Sequence, residues 1–418
     1  MRWQDLTYLG TVALAGGAAR AARRGLPEGW RIRLEARPPE DLPAGWIWLH
    51  AVSVGELILA EGILGWLRER GHRIHVTTGT PAGLALLGKR MASWNRDGAQ
   101  VTGGAFPLDD PAGLRPFLGP PPAAFVALET ELWPNLIRVL EARGIPCAIV
   151  NGRLTRRSLE RGGAWMRTAA GRLAVVAARD EASAEAFRKL GARRVALGGN
   201  LKADLPPPRP LHEAWAPLRE AWAGAKILVA GNTVEGEEAL LVEAWSRVRE
   251  AHPGLRLVLA PRQPRRFQEV ADRFAQMGLS FRRASGVWPR EAAPWRTCDV
   301  LLLDTLGELP SAYREGTVAM VGGGWRWDGG HNPLEPARWG VPTLVGPGFR
   351  NFEDLVAPLA EAGLLRIVPA EDLVPAVASA LDEAPLRPGS SPVALPPALR
   401  GALARTCAIL EDVLPPPR

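Results

Sequence analysis

Short apolar runs recur along this chain, separated by amphipathic stretches. Runs at 46–51, 73–78, 124–128, 147–150, 173–178 and 195–197 are dominated by apolar residues, which predicts strands buried on both faces of a parallel sheet. The stretches 57–70 and 132–143 carry apolar residues at helical spacing and predict covering helices. Leu205-Pro206-Pro207-Pro208-Arg209-Pro210 then breaks the rhythm, because neither a helix nor a central strand tolerates that many prolines. The alternation restarts with runs at 227–230, 255–260, 300–303, 318–321 and 343–345 and helical stretches at 235–251, 267–277 and 372–381. A second proline cluster at 392–397 precedes a helical pattern near 398–413.

This pattern predicts an α/β protein of two doubly wound, Rossmann-like domains with a cleft between them. We divide the chain into a possible membrane-associating segment (1–25), an N-terminal domain (26–204), a linker (205–210), a C-terminal domain (211–397) and a C-terminal helix (398–418). The length of 418 residues suits two domains, at roughly 100–200 residues each. Three widely spaced cysteines, Cys147, Cys298 and Cys407, suit a reducing compartment and supply neither a disulfide framework nor a zinc spacing. The net charge of +7 fits an anionic partner better than a nucleic acid, which calls for a stronger basic stripe. Nearly all the cations are Arg; Lys occurs only at Lys89, Lys189, Lys202 and Lys226, and Lys202 is read as a place that Arg does not fill.

Residues 6–19 are apolar and are followed by Arg20, Arg23 and Arg24. The run is short of the ~20 residues that span a bilayer, and a basic cluster after the apolar run is the wrong order for a signal peptide. It reads either as an interfacial anchor or as a surface helix packed on the domain.

The candidate chemistry falls after the strands, where open parallel sheets bind ligands. Gly322-Gly323-Gly324 and Gly329-Gly330-His331-Asn332-Pro333-Leu334-Glu335 follow one strand. Asn332 is a suitable N-cap and Pro333 a suitable first helical residue, so the segment predicts backbone N–H groups turned toward an anion, with Glu335 in the first turn. Lys202, in Gly199-Asn200-Leu201-Lys202, sits beside the linker; Arg262 follows the run ending at 260. Both can meet a negative group. Ser53, Gly55 and Glu56 open a helix after His50, which is either a core histidine or part of that cluster. Glu129 and Glu131 flank Thr130 and suit acid–base work or hydroxyl binding. No His/Cys/Asp/Glu group has metal-ligand spacing, so a metal-free site without cofactor is expected.

The ordered blocks HAVSVGE (50–56), TTGTPAG (77–83), PLD (107–109), ETELWPNL (129–136), NGRLT (151–155), GNLKAD (199–204), EGEE (235–238), PR (261–262), DTLGEL (304–309), GGHNPLEP (329–336) and GP with NFED (346–354) resemble the 3-deoxy-D-manno-octulosonic acid (Kdo) transferases acting on lipid A. The resemblance implies a GT-B glycosyltransferase, inverting and metal-independent, that uses CMP-Kdo as a substrate and a phosphorylated, lipid IVA-like glycolipid as acceptor in lipopolysaccharide core synthesis. It also implies a place on the cytoplasmic face of the inner membrane, peripheral or N-terminally anchored. It assigns CMP to Lys202, Arg262, Gly330, His331, Asn332 and Glu335, with Glu335 on the ribose. Ser53, Gly55, Glu56, Thr80, Glu129 and Glu131 are then acceptor-binding or structural residues of the cleft.

The family's general base lies in an ERxG-type motif before the first block. Here Glu35 matches best, without the glycine, and Glu40 is the fallback. Histidines usual in three family blocks are also replaced, within Thr233-Val234-Glu235, Arg262-Gln263 and Pro347-Gly348. Those departures keep open a transferase for another CMP-activated acid or another acceptor, and a non-catalytic GT-B binding protein.

Overall fold

The computed structural model describes residues 3–417 apart from 97, 99, 156–157, 160–162, 207–214, 287–292 and 388–390. Of the proline break at 205–210, residues 207–210 therefore lie outside the described residues. The chain forms two units: Met1–Leu205 together with Gly401–Arg418, and Pro206–Arg400.

In the first unit the strands are β1 (Ile47–His50), β2 (Ile74–Thr78), β3 (Val101–Ala105), β4 (Ala124–Leu128), β5 (Cys147–Gly152), β6 (Val175–Ala178) and β7 (Val195–Leu197). They form one parallel sheet in the order β3-β2-β1-β4-β5-β6-β7. The central strands are buried on both faces, which is why they read as apolar runs rather than alternating ones. Trp46, Trp48, Phe106, Phe117 and Phe125 build the core on one face. Ile47, Leu49, Ile63, Leu67 and Val76 build it on the other. The strand order reverses between β1 and β4, so this is the switch point where a doubly wound sheet opens a crevice.

The C-terminal helix Ala402–Glu411 returns to this unit, with Ala402 and Leu410 in the second of those cores. Asp204 fixes its start by accepting from the N–H groups of Gly401 (3.0 Å) and Leu403 (2.6 Å).

The second unit has β8 (Ile227–Thr233), β9 (Arg256–Pro261), β10 (Phe281–Arg283), β11 (Val300–Leu302), β12 (Val318–Val321), β13 (Thr343–Val345) and β14 (Leu365–Ile367). Its sheet is also parallel, in the order β10-β11-β9-β8-β12-β13-β14. Here the reversal lies between β8 and β12. Leu228, Leu257, Val300, Val318 and Leu344 meet Leu241, Trp245, Phe274 and Val377 from the covering helices.

The N-terminal helix is Trp3–Ala21. It is held on the first unit by Tyr8, whose hydroxyl donates to Asp109 (3.1 Å), and by Arg20, which donates to Asp110 (2.9 Å). Tyr8 also meets Trp165 edge to face at 5.1 Å. Leu14 stays 78% exposed. Among the described residues no helix is long and apolar enough to cross a membrane.

Candidate active site

In the first unit the conspicuous residues collect at the carboxyl edge around the switch point. Ser53 caps the helix Val54–Glu69, its hydroxyl accepting from the Glu56 N–H (3.4 Å). Glu56 reaches back to accept from the Val52 N–H (2.8 Å) and the Ser53 hydroxyl (3.2 Å). This is a capping box shifted by one residue, since the carboxyl binds the N–H of Val52 in place of that of the Ser53 N-cap, and Glu56 is buried. Gly55 is exposed on the same first turn. Thr80 caps the next helix, Pro81–Trp94, by accepting from the Gly83 N–H (3.1 Å).

Glu129 and Glu131 follow β4. Glu129 has φ 58°, a left-handed conformation that costs a non-glycine residue about 1–2 kcal/mol. Among the described residues, the other non-glycine residues with positive φ are Asn151 and Asn232; both also lie at carboxyl ends of strands, and Asn tolerates that region far better than Glu. Burial pushes Glu56 up to about 7, and the charges of Glu129 and Glu131 add to the shift against the two hydrogen bonds. Glu131 Oε2 lies 3.5 Å from Nε2 of the fully buried His50.

Asp109, after the end of β3, is 3% exposed and accepts from the N–H groups of Asn135 (3.0 Å) and Leu136 (2.8 Å), at the start of the helix Pro134–Glu141. Burial raises its pKa to about 7 although those bonds, Tyr8 and Arg33 oppose the shift. Arg33 donates to the carbonyls of Phe106 (3.3 Å) and Pro107 (3.0 Å), and its guanidinium lies 4.8 Å from the Trp133 ring centre. Arg33 thereby ties down the last turn of the helix Glu28–Glu35, whose final residue, Glu35, is exposed. Glu40 is exposed in the following loop. Lys202 belongs to this unit as well, on the single turn Leu201–Asp204, where the Asn200 side chain accepts from the Lys202 N–H (3.1 Å).

In the second unit Arg262, Gly330, His331, Asn332 and Glu335 share one neighbourhood. Arg262 is exposed after β9, its N–H donating to the Thr233 carbonyl (2.9 Å). Burial lowers the pKa of His331 against the hydrogen bond to the Gly322 carbonyl, and the charge of Arg262 lowers it further. His331 Nδ1 lies 2.9 Å from the Gly322 carbonyl, which can only accept, so Nδ1 carries the proton and the neutral ring offers Nε2 as an acceptor. Gly330 has φ 62° and permits the turn into His331. Asn332 holds Glu335 through its amide (3.4 Å) and caps Leu334 (3.2 Å).

Two features differ from the sequence expectation. The helix after Asn332 is the single turn Leu334–Ala337, with Pro333 as its N-cap rather than its first residue. The glycine loop's donors are also already used. The fully buried Glu237 carboxylate accepts from the N–H groups of Gly323 (2.7 Å), Trp325 (2.9 Å), Arg326 (3.4 Å) and Val234 (3.1 Å). The loop therefore does not turn these N–H groups outward to an anion; Glu237 is the anion they bind. A Cβ on Gly322 would come within 2.7 Å of Glu237 Oε2, so glycine is required there. The next residue, Glu238, is also fully buried, and it pairs with Arg266 (2.5 Å) and the Thr233 hydroxyl (3.1 Å). EGEE (235–238) is one of the blocks that carry the family resemblance, and nothing in the sequence assigns its acids a task. The signal available was two adjacent acids after a strand end.

Comparison with known proteins decides the family. The family model described as 3-Deoxy-D-manno-octulosonic-acid transferase (kdotransferase) matches residues 24–205. The 3-deoxy-D-manno-octulosonic acid transferase of Bordetella pertussis is 35% identical over 398 residues, which cover 91% of this chain and 90% of that protein. The chain belongs to the Kdo transferase family. The enzyme of the same description from Haemophilus influenzae is 32% identical over 386 residues, covering 89% of this chain and 88% of its own. Family membership makes the chain a glycosyltransferase.

In fold it is similar to a putative UDP-N-acetylglucosamine 2-epimerase from Listeria monocytogenes, with a TM-score of 0.54 at 14% identity, covering 90% of this chain and 100% of the other. The S. aureus MnaA–UDP co-structure gives 0.56 at 12% identity, with the same coverage. Two doubly wound parallel units of this kind constitute the GT-B architecture.

Proposed function

We propose that this chain transfers Kdo from CMP-Kdo to a phosphorylated, lipid IVA-like precursor of lipid A, in lipopolysaccharide core synthesis, with inversion and without a metal ion or cofactor. Its place is the cytoplasmic face of the inner membrane, where the exposed Leu14 of the N-terminal helix suits an interfacial contact. The observation that carries the reading is the 35% identity to a Kdo transferase along nearly the whole chain.

In this mechanism an acceptor hydroxyl attacks the ketosidic carbon as CMP leaves, and the Glu35 carboxylate takes the hydroxyl proton. The charge that collects on the leaving phosphate calls for cations, and Arg262 and Lys202 are the side chains assigned to it. Glu335 accepts from the ribose hydroxyls, held by Asn332, and His331 Nε2 supplies a second acceptor. Ser53, Gly55, Glu56, Thr80, Glu129 and Glu131 form the acceptor edge.

Calorimetric titration tests the donor half. Glu335→Gln is expected to weaken CMP by about tenfold or more, since a charge-assisted bond contributes about 1.5–3 kcal/mol. It is expected to leave 2′,3′-dideoxy-CMP nearly unchanged, because the partner hydroxyls are gone. Equal losses for both nucleotides would reduce Glu335 to a local helix contact. The replaced family histidines near Thr233, Gln263 and Gly348 favour one second reading, a different CMP-activated acid as donor. A screen of CMP-sugars decides between them.

A further inference from the structure

Three carboxyl groups, Glu56, Glu129 and Glu131, crowd the edge proposed to receive a phosphorylated acceptor. Three full negative charges there would repel it. The geometry around His50 removes part of that conflict.

His50 is fully buried at the end of β1, stacked on Phe106 at 3.9 Å between ring centres. Its Nδ1 lies 3.0 Å from the Thr77 carbonyl and 3.1 Å from the Thr77 hydroxyl oxygen. That hydroxyl oxygen already accepts from the Trp48 indole (2.8 Å). A carbonyl only accepts, so Nδ1 carries a hydrogen. The lone pair of a neutral ring then sits on Nε2, which is buried, has no hydrogen-bond partner among the described residues and faces Glu131 Oε2 at 3.5 Å. A lone pair on the fully buried Nε2 facing the half-buried Glu131 carboxylate is costly, and one more proton on the pair converts repulsion into attraction.

We infer that His50, which is outside the residues assigned above, is a specificity-determining residue: the His50–Glu131 pair, 3.5 Å apart, carries one proton beyond the Nδ1 hydrogen, which cancels the charge of Glu131 and so lets the edge accept a phosphorylated sugar. The inference rests on the proposed acceptor class. The charged groups facing the pair are Glu56 and Glu129 on the acidic side and Arg33, whose guanidinium acts on Glu131. Burial raises Glu56 to about 7, so it too is partly protonated near neutral pH. Glu129 is then left as the principal anion, with Arg33 nearby as the cation. The dyad positions and neutralises; the proton of the attacking hydroxyl goes elsewhere, to Glu35.

A double-mutant cycle tests this. In His50→Gln the amide cannot hold the shared proton, and Glu131 becomes a bare carboxylate. The KM for the phosphorylated acceptor is expected to rise about tenfold, with the KM for CMP-Kdo unchanged. In the Glu131→Gln background that charge is already gone, so the acceptor KM of the double variant is expected to match that of Glu131→Gln alone to within about threefold instead of rising a further tenfold. An acceptor lacking its phosphates is expected to show no such rise.

A residue that only packs on Phe106 would give the same tenfold loss in the Glu131→Gln background, or a loss that falls equally on both acceptors. Either result overturns the inference. Should His50→Gln not fold, side-chain ¹⁵N spectra of the parent and of Glu131→Gln decide: Nε2 is expected to move to the position of an unprotonated ring nitrogen in the variant. An Nε2 signal that is the same in both overturns the inference. The spectra need no turnover, so failure of the acceptor reading itself, seen as no transfer by the parent protein, is distinguishable.

Discussion

Glu35→Gln is expected to lower kcat by on the order of 10²–10⁴ while leaving CMP binding intact, the range lost when a positioned general base is removed. The amide keeps the size and one acceptor oxygen but cannot take a proton. Arg33 makes the position definite. It anchors the last turn of the helix Glu28–Glu35 to the carbonyls of Phe106 and Pro107 and stacks against Trp133, so the residue two places on sits on a fixed turn. The glycine of the family motif is replaced by Pro38, yet the helix has already ended at Glu35 with Ala36 as its C-cap. Presentation of Glu35 thus does not depend on that glycine. Rapid-quench measurement of Kdo transfer with Glu35→Gln and Glu40→Gln side by side checks the assignment. Loss in Glu40→Gln with turnover kept in Glu35→Gln would move the base to Glu40.

Glu237→Ala is expected to be the most destabilising substitution of the second unit. It would leave four backbone N–H groups without their acceptor in a place where the carboxylate is fully buried. Each unsatisfied buried donor costs roughly 1–3 kcal/mol before relaxation, and a total of about 3–5 kcal/mol lowers Tm by roughly 10 °C in a unit of this size. Glu237→Gln is expected to recover little, because its amide N–H would face other N–H groups. Thermal unfolding followed by tryptophan fluorescence reads the loss, and CMP titration reads the accompanying distortion of the loop that leads to His331. A Glu237→Ala protein that melts like the parent would show that the loop draws its shape from elsewhere.

The strands were legible where burial on both faces forces continuous apolar sequence. β3, with VTGGA, β10, with FRR, and β14, with LRI, escaped the sequence reading. All three stand at sheet edges and are partly exposed, so their residues need not be apolar. The edge strand β7 was found only because Val195, Ala196 and Leu197 happen to be apolar. Among the site residues, Ser53 and Thr80 were legible as caps because capping is decided within four residues.

The task of Glu237 was not legible, since three of the N–H groups it binds lie 86, 88 and 89 residues away and only the pairing of β8 with β12 brings them to it. The same holds for His50, whose ring is read only once β2 and the turn after β4 stand on either side of it. The glycine loop misled for a related reason: its composition announces exposed N–H groups, and an acid far off in sequence consumes them.

Transfer itself is the most direct test. Purified chain is incubated with CMP-Kdo and a lipid IVA-like bisphosphorylated acceptor in the presence of excess EDTA, and the lipid is analysed by mass spectrometry. The account predicts acceptor heavier by Kdo, at a rate that EDTA does not change. Acceptor left unmodified, under conditions in which the Bordetella pertussis relative modifies it, would contradict it.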